Sequence, residues 1–248
     1  MKLTTNNQKL LDECIRLDLN ENENFTKVND FFEFFASSMV LKDYDLSDDE
    51  VFDGITGQGN DGGVDGFYLL VNGELVTEDM VEDINIPRAC PIDLIIVQAK
   101  YVSSFGEDAI SKWKTISSNL LEMKPLNQYK KRYTEKVLDN FTLFGTIIKK
   151  SIRLQCKLRI SFYYATLGLS SEIHPNVIAQ KEELIKIVNS IYPSAFVSVF
   201  FWDADLLMDT YNRSPNTSVN ISFVDQPISL GATDMIALVN LGTYYKFI

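Results

Sequence analysis

Gln98 and Lys100 stand two residues apart near the end of Leu94-Ile95-Ile96-Val97-Gln98-Ala99-Lys100-Tyr101, the most strand-like run of the chain. Side chains alternate along a strand, so Ile96, Gln98 and Lys100 share one face. An amide and an ammonium directly after four apolar residues are an unusual end to a buried strand. Leaving the amide alone unpartnered costs on the order of 2–7 kcal/mol, so a nearby group must satisfy the pair. Asp65 begins an earlier strand behind Gly62-Gly63, and pairing of neighbouring strands could set its carboxylate beside them. Carboxylate and amide oxygens suit a hard cation such as Mg²⁺, and a lysine beside such an ion can activate water or offset growing charge. The plainer reading of the same residues is an Asp65–Lys100 ion pair at a sheet edge.

Other chemistries are poorly supplied. The only histidine is His174, next to Pro175 at the start of an expected helix, where a surface or capping role is the simpler assignment. A Ser-His-Asp triad or a His-rich zinc site would depend on that one residue. Cys14, Cys90 and Cys156 are odd in number and far apart in sequence, which fits reduced thiols rather than a disulfide framework or a zinc cage. Gly57-x-Gly59-x-x-Gly62 matches a dinucleotide fingerprint in letters only. An acidic loop precedes it and a strand follows, where the fingerprint needs a strand and then a helix N-terminus. No nucleotide cofactor is expected.

The elements that must position these residues follow from periodicity. Residues 10–17 read as a short helix and 25–41 as a stronger one with a phenylalanine-rich face. Asp43, Asp45, Asp48, Asp49, Glu50 and Asp53 read as a solvated loop. A strand over 64–71 turns at Asn72-Gly73, a strong hairpin signal, into a return strand over 74–80. The 92–101 strand is apolar enough to be central in its sheet. Helices are expected over 106–123 and 127–150, then a strand at 157–166, a helix at 176–191, a strand at 195–202 and a helix at 204–212. Residues 219–224 and 235–241 look like further short elements. A hairpin followed by β/α alternation indicates an α/β fold with a mixed central sheet flanked by helices.

At 248 residues and 46% apolar content the chain can bury a sizeable core. The expected domain spans 1–215, with its core at about 25–205. Residues 216–248 open a following region, and the apolar ending Tyr244-Tyr245-Lys246-Phe247-Ile248 suggests truncation of a longer protein. Neither a membrane-spanning run nor the apolar stretch of a secretory signal is present, so the expected location is cytoplasmic.

Val64-Asp65-Gly66 followed by a hairpin and the Gln98-Ala99-Lys100 strand resembles the PD-(D/E)xK nuclease superfamily, in its Mrr-like and very-short-patch-repair-like variants with Gln for the usual Glu. The longer stretch from Asn60-Asp61-Gly62-Gly63-Val64-Asp65-Gly66-Phe67-Tyr68, with Ile96-Val97-Gln98-Ala99-Lys100-Tyr101, is similar to the N-terminal nuclease region of AIPR abortive-infection phage-resistance proteins. The resemblance implies a restriction-endonuclease-like fold and hydrolysis of DNA phosphodiesters with Mg²⁺, for which Mn²⁺ can substitute. It implies that Asp65, the Gln98 amide oxygen and the Ala99 carbonyl ligate the metal, and that Lys100 positions the attacking water and offsets charge on the phosphorane. An antiphage role rests on the resemblance alone.

Gln98 in place of a glutamate leaves one fewer negative charge on the cation. Related enzymes recover it from an N-terminal helix. Glu33, within Phe31-Phe32-Glu33-Phe34-Phe35, is the first candidate, against a simple solvent-facing role; Glu13 is the reserve, and Asp61 either lines the site or shapes the glycine turn.

A net charge of −11 argues against a nucleic-acid partner until its distribution is considered. Between Lys124 and Arg159 lie Lys124, Lys130, Lys131, Arg132, Lys136, Lys149, Lys150, Arg153, Lys157 and Arg159, against only Glu135 and Asp139. This stretch, with Lys112 and Lys114, could track phosphates; a solvated helix face is the alternative. Trp113, Tyr129 and Tyr133 could stack bases, or serve as core. One site per chain cutting both strands would favour a homodimer. The rival readings are the same fold catalytically idle, binding nucleic acid or a phage protein, and an acidic mimic of DNA, which the basic stretch opposes.

Overall fold

The computed structural model describes residues 1–57, 59–213, 223–229 and 235–242. The chain divides into two compact units, Met1–Ser214 and Pro215–Ile248. In the second, the described residues form an antiparallel pair, β6 (Ile228–Ser229) and β7 (Met235–Ile236), extended by a bridge between Phe223 and Val239.

The first unit is built on five strands: β1 (Gly66–Val71), β2 (Glu74–Leu75), β3 (Pro91–Lys100), β4 (Lys157–Thr166) and β5 (Phe196–Trp202). Their order is β2-β1-β3-β4-β5. β1 runs antiparallel to both neighbours, while β3, β4 and β5 are mutually parallel. It is an α/β fold with a mixed sheet flanked by helices. β3 is buried continuously from Ile92 to Ala99, as its apolar run predicts for a strand covered on both faces. Each fully buried Leu, Ile or Val of that run contributes about 1.5–3 kcal/mol.

One face carries Leu94 and Ile96 of β3, Phe67 and Leu69 of β1 and Phe162 of β4. The helices α4 (Glu107–Leu120), α5 (Glu135–Ser151) and α6 (Pro175–Ile191) contribute Trp113, Phe144 and Leu184 to the same cluster. On the other face, Tyr68, Leu70, Ile95 and Val97 meet Val40 of α2 (Val28–Val40) and Val51 of α3 (Asp48–Asp53). A third cluster joins α1 (Asn6–Glu21), α2 and α7 (Ala204–Asn212) around Ala99 and Ala165, near the C-terminal ends of β3 and β4. Among the described residues no helix is long and apolar enough to cross a membrane.

Several expectations need correction. The acidic segment is not wholly a loop: Ser47 and Glu50 form a capping box, and Asp48, Asp49 and Glu50 sit in the first turn of α3, where negative charge suits the helix dipole. The return strand ends after Leu75, because Thr77-Glu78-Asp79-Met80 lacks apolar alternation and turns into a 3₁₀ helix at Glu78–Met80. The helix expected over 127–150 is a 3₁₀ turn at Leu126–Tyr129 and then α5, whose N-cap is Thr134. α1 is longer than expected at both ends, started by the Thr5/Gln8 capping box. The hairpin at Asn72-Gly73 has φ of +56° and +89°, as a type I′ turn requires. Of the elements expected after residue 215, positions 219–222 lie outside the described residues.

Candidate metal centre

Asp65 lies just before β1, held by its main chain on both sides. Its N–H donates to the Val97 carbonyl at 2.8 Å, and its carbonyl accepts from the Thr56 N–H at 2.8 Å. Its side chain turns to the C-terminal end of β3, where Gln98 and Ala99 stand. The carboxylate is 4% exposed. Its Oδ2 accepts from the Gln98 side-chain amide and, at 2.7 Å, from the Ala99 N–H.

The Ala99 carbonyl direction follows from the ladder. N–H and C=O of one strand residue point to the same side, and alternate residues share that side. The Val97 carbonyl is used by Asp65, and the Ala99 N–H is directed to the Asp65 carboxylate. The Ala99 carbonyl is therefore turned towards Asp65, beyond the end of β1.

Two glycines make room. Gly62 and Gly63 both have left-handed φ, +71° and +81°, a conformation glycine adopts without steric cost. A Cβ at Gly63 would stand 2.8 Å from Gln98 Oε1 and 3.0 Å from Lys112 Cβ. The Asp61 carboxylate accepts from the Gly63 N–H at 2.7 Å, and Trp113 Nε1 donates to the Gly63 carbonyl at 2.5 Å. Asp61 thus shapes the turn and adds its charge to the site.

Gln98 Oε1 is buried without a hydrogen-bond partner. Such atoms are rare because desolvation is not repaid. The amide nitrogen faces the Asp65 carboxylate, while this oxygen stands against Gly63. The donor set fits a hard cation: one amide rotation would direct Oε1 towards an ion at Asp65. Among the described residues no three His, Cys, Asp or Glu side chains are placed to hold a metal by themselves. The amide and main-chain oxygens would have to contribute.

Glu33 reaches this end of the sheet from α2. It is half-buried, and a Cβ on Gly57 would come 3.0 Å from its Oε2. Burial, then the charges of Asp65, Asp30 and Asp61, push its carboxyl up to about 8. Burial foremost pushes Asp65 to about 7, with Asp61 adding to the rise and the Ala99 and Gln98 hydrogen bonds opposing it. Crowded buried carboxylates hold protons that a bound cation would replace. Glu13 is not brought here: it is exposed on α1, where its charge acts on Cys14 and Arg16.

A stability prediction follows. The folded pKa of Glu33 is raised, so its proton stabilises the native state at low pH and that stabilisation is lost as pH rises from about 4.5 to about 8. In EDTA, Glu33→Gln is expected to melt close to wild type at pH 5 and several degrees higher at pH 8.5. A pH-independent difference between the two melting curves would refute the burial of this charge.

Lys100 shares the face but not the partner expected for it. Its ammonium pairs with Asp108, in the first turn of α4, not with Asp65. Asp108 went unnoticed in the sequence because it sits in an ordinary acidic helix start. Beyond it opens a cleft of about 490 Å³, lined by Asp61, Gly62, Asp108, Lys112, Arg132 and Tyr133.

The basic stretch does not form one surface. Arg132 lines this cleft, whereas Arg159 clamps Asp93 with two hydrogen bonds near the start of β3 and β4, five residues down the strand from Gln98. Lys150 donates to the Val81 carbonyl at 2.6 Å, and Lys124 pairs with Glu122 at 2.9 Å. Lys114 pairs with Glu183 at 2.7 Å, so of the two lysines on α4 only Lys112 faces the cleft. Trp113 and Tyr133 are buried core residues, not exposed stacking surfaces. His174 is the exposed N-cap of α6, its Nδ1 accepting from the Asn176 N–H at 3.2 Å.

Compared with protein-family models, with curated proteins and with solved structures, the chain finds no match.

Proposed function

We propose that the chain is a metal-dependent nuclease that hydrolyses DNA phosphodiester bonds, with a restriction-endonuclease-like domain of the PD-(D/E)xK kind in which Gln98 takes the place of glutamate. The observation that carries this reading is the Gln98 amide, whose nitrogen donates to the buried Asp65 carboxylate while its buried Oε1 has no partner. Asp65, Gln98 Oε1, the Ala99 carbonyl and Glu33 would hold Mg²⁺ or Mn²⁺. When bound, such an ion polarises the phosphodiester and lowers the pKa of a coordinated water.

The chain's own groups supply the rest. Lys100 leaves Asp108 for the substrate, where its ammonium offsets charge growing on the phosphorane oxygens. Lys112 and Arg132, on the cleft beside it, bind neighbouring phosphates and fix the register of the strand. Glu33 provides the second negative charge that a glutamine at position 98 withholds. A role in abortive-infection defence, as in the AIPR proteins, belongs to this proposal through the motif alone.

One observation favours a second reading, the same fold binding nucleic acid without cutting it. The ion pair with Asp108 occupies the ammonium that hydrolysis needs. Incubation with supercoiled plasmid and Mg²⁺ separates the two. Nicking or linearisation by wild type, lowered about 10²–10³-fold in Lys100→Ala, supports the nuclease. Salt-dependent DNA binding with no cleavage in Mg²⁺ or Mn²⁺ assigns the idle module.

A further inference from the structure

Cys90 and Cys156 are 66 positions apart, yet their sulfurs lie 3.5 Å from each other. The parallel ladder explains why. Pro91 and Lys157 are register partners at the start of β3 and β4, so the residue before each is also a neighbour. The Lys157 N–H donates to the Cys90 carbonyl at 2.9 Å, and the Ala89 N–H donates to the Leu154 carbonyl at 2.7 Å. Contacts on both sides therefore fix the two cysteine backbones against each other.

The residues preceding the cysteines are unusual in the same way. Ala89 and Gln155 have φ of +58° and +57°, left-handed backbone that alanine and glutamine rarely adopt. The chain accepts this conformation at both approaches to the thiol pair. Access is also present. Cys156 is half-buried and lines a mainly apolar groove of about 400 Å³, with Ile92, Ile152, Leu158 and Tyr192. Cys90 lies behind it, 5% exposed.

We propose that Cys90 and Cys156 form a redox-active dithiol, a modification site that a small uncharged peroxide converts to an intramolecular disulfide. The Cys156 thiolate attacks one oxygen of hydrogen peroxide, breaking the O–O bond to give a sulfenic acid and, after protonation, water. The Cys90 sulfur then attacks the sulfenyl sulfur, forming the S–S bond, losing its proton and expelling the hydroxyl as a second water. Two thiols are oxidised and one peroxide is reduced. Cys156 goes first because it is exposed to the groove, while burial and the neighbouring thiol hold Cys90 protonated, its pKa pushed up to about 11. An S–S bond needs a separation of about 2.05 Å, an approach that side-chain rotation across one ladder position can supply.

The location gives the bond a consequence. The closed loop contains β3, α4, α5 and the cleft residues Lys112 and Arg132, all returning to the sheet at β4. A disulfide at its base would pin both ends of this unit at the start of the strands, away from Gln98 and Lys100. This inference stands whether or not the chain is a nuclease.

Peroxide treatment in EDTA, followed by alkylation and non-reducing peptide mapping, tests it. The three free thiols are expected to fall to one, Cys14, with a Cys90–Cys156 cross-linked peptide and a mass loss of two hydrogens. The melting midpoint should rise by roughly 5–15 °C and return on reduction. Cys14→Ser should behave as wild type, and Cys156→Ser should lose both effects. Three thiols still alkylated, a cross-link through Cys14, or Cys156 carried to sulfinic acid without a cross-link would each overturn the proposal.

Discussion

Asp65→Asn is expected to abolish Mg²⁺-dependent cleavage, by roughly 10³-fold or more, while raising the melting midpoint of the metal-free protein. The two effects have one cause. The wild-type carboxylate is buried and shares its neighbourhood with Glu33 and Asp61, so its charge is costly until a cation balances it. Asparagine keeps an oxygen for the Ala99 N–H and removes the charge. Metal binding then fails for lack of an anionic ligand, and Mn²⁺ titration followed by calorimetry should show the loss directly. A merely structural aspartate predicts the reverse pattern: a lower midpoint, and unchanged metal-dependent stabilisation. Cleavage assays alone do not separate these cases, because an unfolded variant is also inactive. Midpoints measured with and without Mg²⁺ do separate them.

Much of this centre is readable from local pattern, and the unread part has a physical reason. Gln98 and Lys100 share a face because a strand has a period of two, and the apolar run from 94 to 97 marks the strand as central. Asp65 joins them because β1, which it directly precedes, pairs antiparallel with β3 although β2 and a 3₁₀ turn intervene in sequence. Asp108 is different: its approach to Lys100 depends on the turn from β3 into α4, which no periodicity encodes. The basic stretch from 124 to 159 illustrates a second limit. Consecutive cations on an element about 25 Å long are carried from one end of the sheet to the other, so proximity in sequence did not mean one surface. Cys90 and Cys156 show the converse. They are distant in sequence, and the parallel register alone brings them together. The capping box at Ser47/Glu50, by contrast, was present in the letters and signals a helix that the acidic composition obscured.

The largest stability effect is expected at Trp113. It is fully buried between the sheet and α4, its ring centroid 5.2 Å from that of Phe162, and it is tied to Gly63 through the indole N–H. Trp113→Ala removes the ring and leaves a cavity, a loss of about 3–5 kcal/mol, which lowers the melting midpoint by roughly 6–20 °C at this chain length. Trp113→Phe isolates the second role. Phenylalanine retains most of the apolar contact but leaves the Gly63 carbonyl buried without its donor, at a cost of about 1–3 kcal/mol. Gly63 stands against Gln98 Oε1 with no space for a side chain, so relaxation of this turn moves the wall of the proposed metal centre. Metal affinity in Trp113→Phe should therefore fall about 10–100-fold, more than its modest destabilisation would suggest. If thermal denaturation shows the loss of stability while Mn²⁺ affinity stays at the wild-type value, the indole serves the core alone and the glycine turn is held by Asp61. A fall in both measurements makes Trp113 the strut through which the helical layer fixes the position of Asp65 and Gln98.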